Sequence, residues 1–501
     1  MRTESQSSSG KRRRGKSKRS TGSETNRKAP GSFVRRFKSA FRIIPRVFRS
    51  AWFPSATLLI FLFVNSISFA LLLDPLGGGN AISFTQLGAD MVGGLGTSEA
   101  VDVVDYQAEF NKLLYLASLL MLLFQFRLIV DFLRKNVHLV LALLVIGAGA
   151  VHSLDSGRVI INLVQLTSGL LLALTYALTR EADPNRYIKF CIICIVPLLL
   201  IHLGSFWLFF ASELDVFKFW AGEARYGGFP GNPNTAGAQA VLGIWFALYL
   251  LLQKTSKKVI FFGLFSLLIF CFSLSTTGSG TSTIAAAVVV LTMIFLKFFT
   301  LFRAGGRVIY SLSSVLVGLV VFFFMMLIGF KELKSSLFEN LGKDDSLTGR
   351  TEIWEVGIAA FKEKPLFGWS LDLNASVFDN LRFSLPSFVE HFHNGYIETL
   401  VSGGILLGLF VLYNFWRFIV YYWKSLSEDS IAYGMIGGLI ILLIMNYSEY
   451  SILRPRSVIY QLYLMSFCLI ATTVHSSSTQ AAGSNERKVR RVRRKPAMRF
   501  N

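Results

Sequence analysis

His391-Phe-His-Asn-Gly-Tyr-Ile-Glu-Thr-Leu-Val-Ser-Gly-Gly-Ile-Leu-Leu-Gly-Leu-Phe-Val-Leu-Tyr413 passes from a polar segment into an apolar one within a few residues. Upstream of it, 331–394 is a long polar segment; downstream, the apolar run continues to about residue 423. Runs of this kind recur through a chain of 501 residues that is 52% hydrophobic, with a mean hydropathy of +0.51. Runs this long span a bilayer as helices, because backbone groups in lipid must find their partners within the segment. The expected class is therefore an all-α integral membrane protein. About twelve transmembrane helices are expected, at 55–73, 113–132, 138–152, 159–178, 189–211, 234–253, 258–275, 281–299, 307–330, 395–423, 431–447 and 457–474, the third being short.

The net charge of +21 sits in the tails. Residues 1–56 contribute +14 and 474–501 contribute +7, which leaves the membrane body formally neutral. Basic ends beside apolar spans fit contact with anionic lipid headgroups better than nucleic-acid binding, and no nucleic-acid partner is expected. Residues 1–54 read as a basic cytoplasmic tail, disordered at first, with an amphipathic helix over 33–50. The polytopic membrane domain spans 55–474, and 475–501 is a second basic cytoplasmic tail. The first span reads as an uncleaved anchor. With both termini inside, the short inner loops carry Arg134-Lys135, Arg180 with Arg186 and Lys189, Lys254 with Lys257 and Lys258, Lys297 with Arg303 and Arg307, and Lys424. All of them agree with one orientation. That orientation puts 74–112, 212–233, 276–280, 331–394 and 448–456 outside.

Cys191, Cys194, Cys271 and Cys468 all fall in apolar spans and read as packing residues rather than a disulfide framework. Arg127 and Asp131, four residues apart, are expected to pair near the inner end of their span.

Chemistry-bearing residues collect in the outer segments. Arg225-Tyr-Gly-Gly-Phe-Pro-Gly-Asn232-Pro233-Asn234 places a good N-cap and a first-turn proline after an arginine and three glycines. Two readings stay open: a capped helix with a tight turn, or a phosphate or diphosphate site at a helix start. The short turn around Ser279 also offers backbone N–H groups, with a plain turn as the stronger reading. In the long loop, Arg350 and Trp354 begin an amphipathic helix whose apolar positions are Ile358, Phe361 and Leu366, closed by Pro365 and Gly368. His391 and His393 stand where the chain re-enters the apolar phase. A metal pair lacks a matched carboxylate set, so the reading is a general base at the lip of the bundle, against that of an ordinary surface histidine. Asn394 and Gly395 would cap and start the next helix, and Glu398 on the following turn would orient the histidine. Arg454 and Arg456 in the last outer loop suit an acidic ligand, or equally a helix junction.

Together these pieces resemble the O-antigen ligase family, which includes related O-antigen polymerases. The resemblance covers about 225–413. It is carried by Arg225 before the Asn232-Pro233-Asn234 helix start, Gly349-Arg350-x-x-x-Trp354, Pro365-Leu-Phe-Gly368, His393-Asn394, and Gly403-Gly404 with Gly408. It implies a GT-C-like bundle whose long outward-facing loop contains short helices. It also implies a glycosyltransferase at the outer (periplasmic) face of the bacterial cytoplasmic membrane. The donor would be an undecaprenyl-diphosphate-linked glycan; the acceptor would be a lipid A–core sugar or another glycan; no metal or other cofactor is implied. Arg225 and Arg350 would bind the diphosphate and His393 would deprotonate the acceptor. Ser279 is followed by Gly280 where many members carry arginine, a departure that bears on ligase versus polymerase.

Two other function classes compete. A transporter of a small anion usually leaves ionisable groups deep in its spans; here the deep polar residues are His202, Asn162, Gln165 and Gln239, and the charges sit at the rim. A non-catalytic export or assembly component would explain the tails but not the rim cluster.

Overall fold

The computed structural model describes residues 50–67, 106–153, 155–211, 226–253, 255–301, 350–371, 391–428 and 430–493, and structural statements refer to these. The 33–50 amphipathic helix, the 307–330 span, Arg225 and most of the 74–112 and 331–394 segments lie outside them.

Twelve α-helices are described: α1 (Trp52–Asn65), α2 (Tyr106–Lys135), α3 (Val137–Ala148), α4 (Ser156–Thr179), α5 (Arg186–Ala211), α6 (Pro233–Leu252), α7 (Lys257–Thr277), α8 (Gly280–Leu301), α9 (Arg350–Glu363), α10 (Gly395–Glu428), α11 (Ile436–Met445) and α12 (Val458–Arg493). Eight are long and apolar enough to cross a membrane. The protein is thus an all-α membrane protein. Eleven expected spans have a helix, and the ninth lies outside the described residues. The third is short, as expected: α3 ends in a 3-10 turn at Gly149–Val151. The last helix differs. It runs on through Arg493, well past 474.

α6 is the centre of the bundle. Trp245, Phe246 and Tyr249 are fully buried on it, and α5, α7, α8 and α11 pack around it. The indole Nε1 of Trp245 donates to the Gly434 carbonyl at 2.7 Å, so the deepest large ring leaves no polar atom unpaired. α12 fills the opposite half, against α4, α10 and α11. At the periphery, α2 exposes Leu113, Leu123 and Phe126, and α7 exposes Phe261, Leu264 and Leu268. Such faces are unfavourable in water and at home against lipid tails. Arg127 and Asp131 also face outward on α2. They are not among the ion pairs of the described residues, which corrects the expected pair. The helix is kinked at Gln125, just before them.

α10 is broken. Gly404 has φ 63° and ψ −165°, outside helical space and open in practice to glycine alone. A break inside a span frees backbone groups that lipid cannot satisfy. Here the segment after α9 satisfies them. Trp369 N donates to Val401 O at 2.7 Å and Ser370 N to Ser402 O at 2.8 Å. In return Ile405 N donates to Pro365 O at 2.8 Å and Leu406 N to Leu366 O at 3.3 Å. Gly368 (φ 67°) lies so close to this break that a Cβ on it would stand 2.5 Å from the Val401 carbonyl oxygen. The Pro365–Gly368 and Gly403-Gly404 motifs, far apart in sequence, are two sides of one junction.

That junction ties α9 to α10. The buried face of α9 is Ile353, Val356, Gly357, Ala360 and Phe361, against Phe392, Ile397 and Val401. Ile358 and Leu366 are exposed, at 44% and 62%. The apolar stripe is rotated from the expected one because small Gly357 and Ala360 allow the closest approach.

Candidate active site at one end of the bundle

The re-entry segment 391–398 is fixed from several sides. Asn394 Oδ1 accepts from Tyr396 N at 3.0 Å and Ile397 N at 3.1 Å, an N-cap as expected. Its Nδ2 donates to Tyr447 O at 3.2 Å. Gly395 N is shared between Asn446 O at 2.8 Å and Glu449 O at 3.0 Å. No side chain fits there, since a Cβ on Gly395 would sit 1.8 Å from Asn446 Oδ1. Glu398 Oε2 accepts from Phe392 N at 2.9 Å. It therefore holds the backbone between the two histidines, not an imidazole ring as expected. Phe392 is fully buried against α9, so His391 and His393 are carried on an anchored ridge. His393 takes a left-handed φ of 50°, and its N donates to His391 Nδ1 at 3.2 Å. The ring centroids are 4.0 Å apart.

Glu449, in the loop between α11 and α12, gathers the site. Its Oε1 accepts from Arg350 Nη2 at 3.2 Å and from Asn234 Nδ2 at 3.0 Å. Its Oε2 lies 3.9 Å from His393 Nδ1, a charge-pair distance beyond hydrogen bonding. Arg350 is the first residue of α9 and Asn234 the second of α6, so two helix starts and one helix entry meet on one carboxylate. Burial pushes the Glu449 carboxyl up, but adjacent His393 and Arg350 outweigh it and hold the group below the usual carboxylate range. Burial, then His393 and Arg454, push the His391 imidazole down to about 3.

Beside this cluster lies a cavity of about 900 Å³, lined by His391, Glu398, Glu449, Tyr450, Arg454 and Arg456, and also by Arg158, Asn162 and Gln165 of α4 with its N-cap Asp155. Asn65, Asn234 and Gln239 also line it. Ends of α1, α4, α6 and α12 thus open on one space, as alternating spans require. Among the described residues, no group of three or more His, Cys, Asp and Glu is disposed to hold a metal.

Arg350, His391, His393, Asn394, Glu398 and Asn234 therefore come together, and Arg454 and Arg456 face the same cavity. Trp354 supports the cluster from behind, its ring edge-on to Tyr447 at 5.4 Å. Asn232 only caps α6, accepting from Asn234 N at 2.8 Å. Ser279 is buried, its Oγ 2.9 Å from Ser282 Oγ; it belongs to the packing of α8 and not to the cavity lining. Glu449 stands in the last outer loop with Arg454 and Arg456, and sequence reasoning gave it no role in the site. The signal was present: an acid in a rim loop otherwise marked by arginines.

The O-antigen ligase family model matches residues 265–412, from within α7 to the second half of α10. That stretch holds Arg350, Trp354, both histidines, Asn394 and Glu398, together with both sides of the α10 junction. The chain is also similar to the exopolysaccharide production protein ExoQ of Rhizobium meliloti (strain 1021), at 30% identity over 240 residues. The alignment takes in 45% of this chain and 54% of that protein, so it spans about half the relative's length. The chain is thus similar to the O-antigen ligase family over the segment that carries Arg350 at the start of α9 and both histidines.

Proposed function

We propose that this chain is a glycosyltransferase of cell-surface polysaccharide assembly. It moves a glycan from undecaprenyl diphosphate to an acceptor hydroxyl at the outer face of the cytoplasmic membrane. The match to the O-antigen ligase family and the similarity to ExoQ support the class of protein. The observation that supports the site is the convergence of Arg350, His393 and Asn234 on Glu449 at the edge of the cavity.

In this reading the acceptor oxygen attacks the anomeric carbon. His393 takes the acceptor proton. The bond from that carbon to the diphosphate breaks, and its electron pair leaves on the diphosphate. Charge then grows on phosphate oxygens, where a guanidinium can bind two of them at once. Arg350 is that group, with Arg225, which lies outside the described residues, as the second. An arriving diphosphate competes with Glu449 for Arg350. Glu449, facing His393 Nδ1, offsets the positive charge that His393 gains with the proton.

The test uses the full chain in nanodiscs with a lipid-diphosphate glycan and a mixture of acceptors, and follows release of undecaprenyl diphosphate. His393→Ala and Arg350→Ala are each expected to slow release by ~10²–10³, the usual loss for removing a group that meets transition-state charge. Release by both variants at the wild-type rate would overturn the site. The glycosylated product then separates ligase from polymerase.

A further inference from the structure

The cavity carries more positive charge than the cluster described above uses. Arg158 is paired with Asp155 at 3.8 Å, and Arg350 with Glu449. Glu398 is buried and accepts from Phe392 N. Arg454 has no carboxylate within 4 Å among the described residues. Its Nη1 reaches only the Tyr450 carbonyl, at 3.5 Å, and its guanidinium lies 5.7 Å from the centre of the Tyr450 ring. Arg456 lines the same cavity two residues on.

The loop that presents them is built rather than slack. Asn446 Oδ1 accepts from Ser451 N and Ile452 N, both at 2.9 Å. Leu453, immediately before Arg454, is buried yet held at φ 57°, a conformation costly for a branched side chain. Arg454 N and Ser457 N close successive turns onto Ser451 O and Arg454 O. Backbone strain beside an exposed arginine aims that arginine, and here the cavity is what it faces.

Gln239 is 3% exposed and lines the cavity. Its Nε2 donates to Ser66 O at 3.0 Å, but its Oε1 has no partner. A buried acceptor without a donor costs about 1–3 kcal/mol, so a ligand hydroxyl that fills it is favoured. Asn65, Asn162 and Gln165 add amides to the same lining. Amides match sugar hydroxyls, and arginine matches a carboxylate or phosphate.

We propose that Arg454, with Arg456 beside it, forms a second anion site in this cavity, separate from the Arg350–Glu449 cluster, which takes an acidic substituent of the glycan while Gln239 and the neighbouring amides take its hydroxyls. The proposal rests on the transferase reading for which glycan enters, but the site binds without turnover and is tested by binding. The same anion chemistry has another source, the lipid diphosphate itself, and the probes separate the two.

Full-length protein in nanodiscs is titrated with a short uronic-acid oligosaccharide, with the same oligosaccharide after reduction of its carboxyls to alcohols, and with undecaprenyl diphosphate. Wild type is expected to bind the acidic probe at least about tenfold more tightly than the neutral one, the size of one charged hydrogen bond. Arg454→Gln is expected to remove that preference and to leave undecaprenyl diphosphate binding unchanged. Arg454→Lys, which keeps the charge, is expected to restore part of the preference, so a misfolded glutamine variant does not decide the matter. Equal binding of the two oligosaccharides, or binding of neither, overturns the proposal. Loss of undecaprenyl diphosphate binding in Arg454→Gln also overturns it, because the loop would then belong to the donor's diphosphate. A protein that shows the acid preference but never releases undecaprenyl diphosphate would sink the transferase reading and leave this site standing.

Discussion

Two neighbouring histidines share one backbone turn and differ in what surrounds them. His391 faces the cavity with Arg454 nearby, and its imidazole is held down to about 3. The folded protein therefore keeps His391 neutral, whereas the unfolded chain takes up a proton near pH 6.5. A depressed pKa contributes stability that is fully present above 6.5 and is lost as pH falls towards 3, at up to about 1.4 kcal/mol per pH unit. Glu449 is depressed as well, but its contribution is lost only below the ordinary carboxylate value, outside the window from pH 7 to 5. Thermal unfolding in detergent is expected to show a lower Tm at pH 5 than at pH 7, and His391→Asn to show a smaller drop. An identical drop in the variant would mean that His391 is not kept neutral by its site. Residue types at this end were legible from the sequence, down to the Asn394 cap. Their partners were not, because Asn234, Arg350, His393 and Glu449 come from four separate parts of the chain. Glu398 shows the limit well: its place on the next turn was readable, but which atom it would hold depends on how Phe392 packs.

At the scale of elements, α10 is two helices that meet at a kink, and the joint matters more than either half. Its first half, Gly395 to Gly403, holds the histidine ridge in place through Glu398. Four backbone hydrogen bonds at the joint bind it to the segment that follows α9, and α9 begins with Arg350. The joint therefore ties the segment that carries His393 to the helix that begins with Arg350. Gly404→Ala is expected to cost about 1–3 kcal/mol for its backbone conformation alone. A Cβ there would also lie 2.3 Å from the Leu366 carbonyl. The variant is expected to lower both Tm and the rate of undecaprenyl diphosphate release. Gly408→Ala on the same helix meets only the end of the Leu400 side chain, at 3.0 Å, and is expected to be mild. Equal effects of the two would show that the joint has no special role. The glycines were readable in sequence as family features, but hydropathy treats 395–423 as one span and carries no sign of a break. The rotated stripe on α9 has the same origin, since periodicity ranks Ile358 above Gly357 although glycine gives the closer approach.

For the whole molecule, hydropathy was sufficient to place the eleven expected spans that fall in the described residues, because lipid imposes one rule on every backbone group. Each described helix falls on an expected span except α9, and that helix was expected in the loop. The sidedness of the bundle follows from a different rule, the distribution of Lys and Arg, and has its own test. The end that holds the cavity is ringed by Asp155, Asn234, Glu449 and Arg454. The inner loops expected from charge include 180–186, where Arg180 and Lys189 hold Asp183. A cysteine placed at Asp155, in a background lacking the four native cysteines, should react in intact cells with a membrane-impermeant thiol reagent. One placed at Asn185 should react only after the membrane is opened. Among the described residues Asn185 bonds through its backbone, its N donating to Asp183 Oδ1 at 2.9 Å and its O accepting from Lys189 N at 2.9 Å, so the substitution spares the local turn. The reverse labelling pattern would place the cavity on the cytoplasmic side. An undecaprenyl-linked donor presented outside would then never meet Arg350, and the proposed transfer would fail on topology before any chemistry is measured.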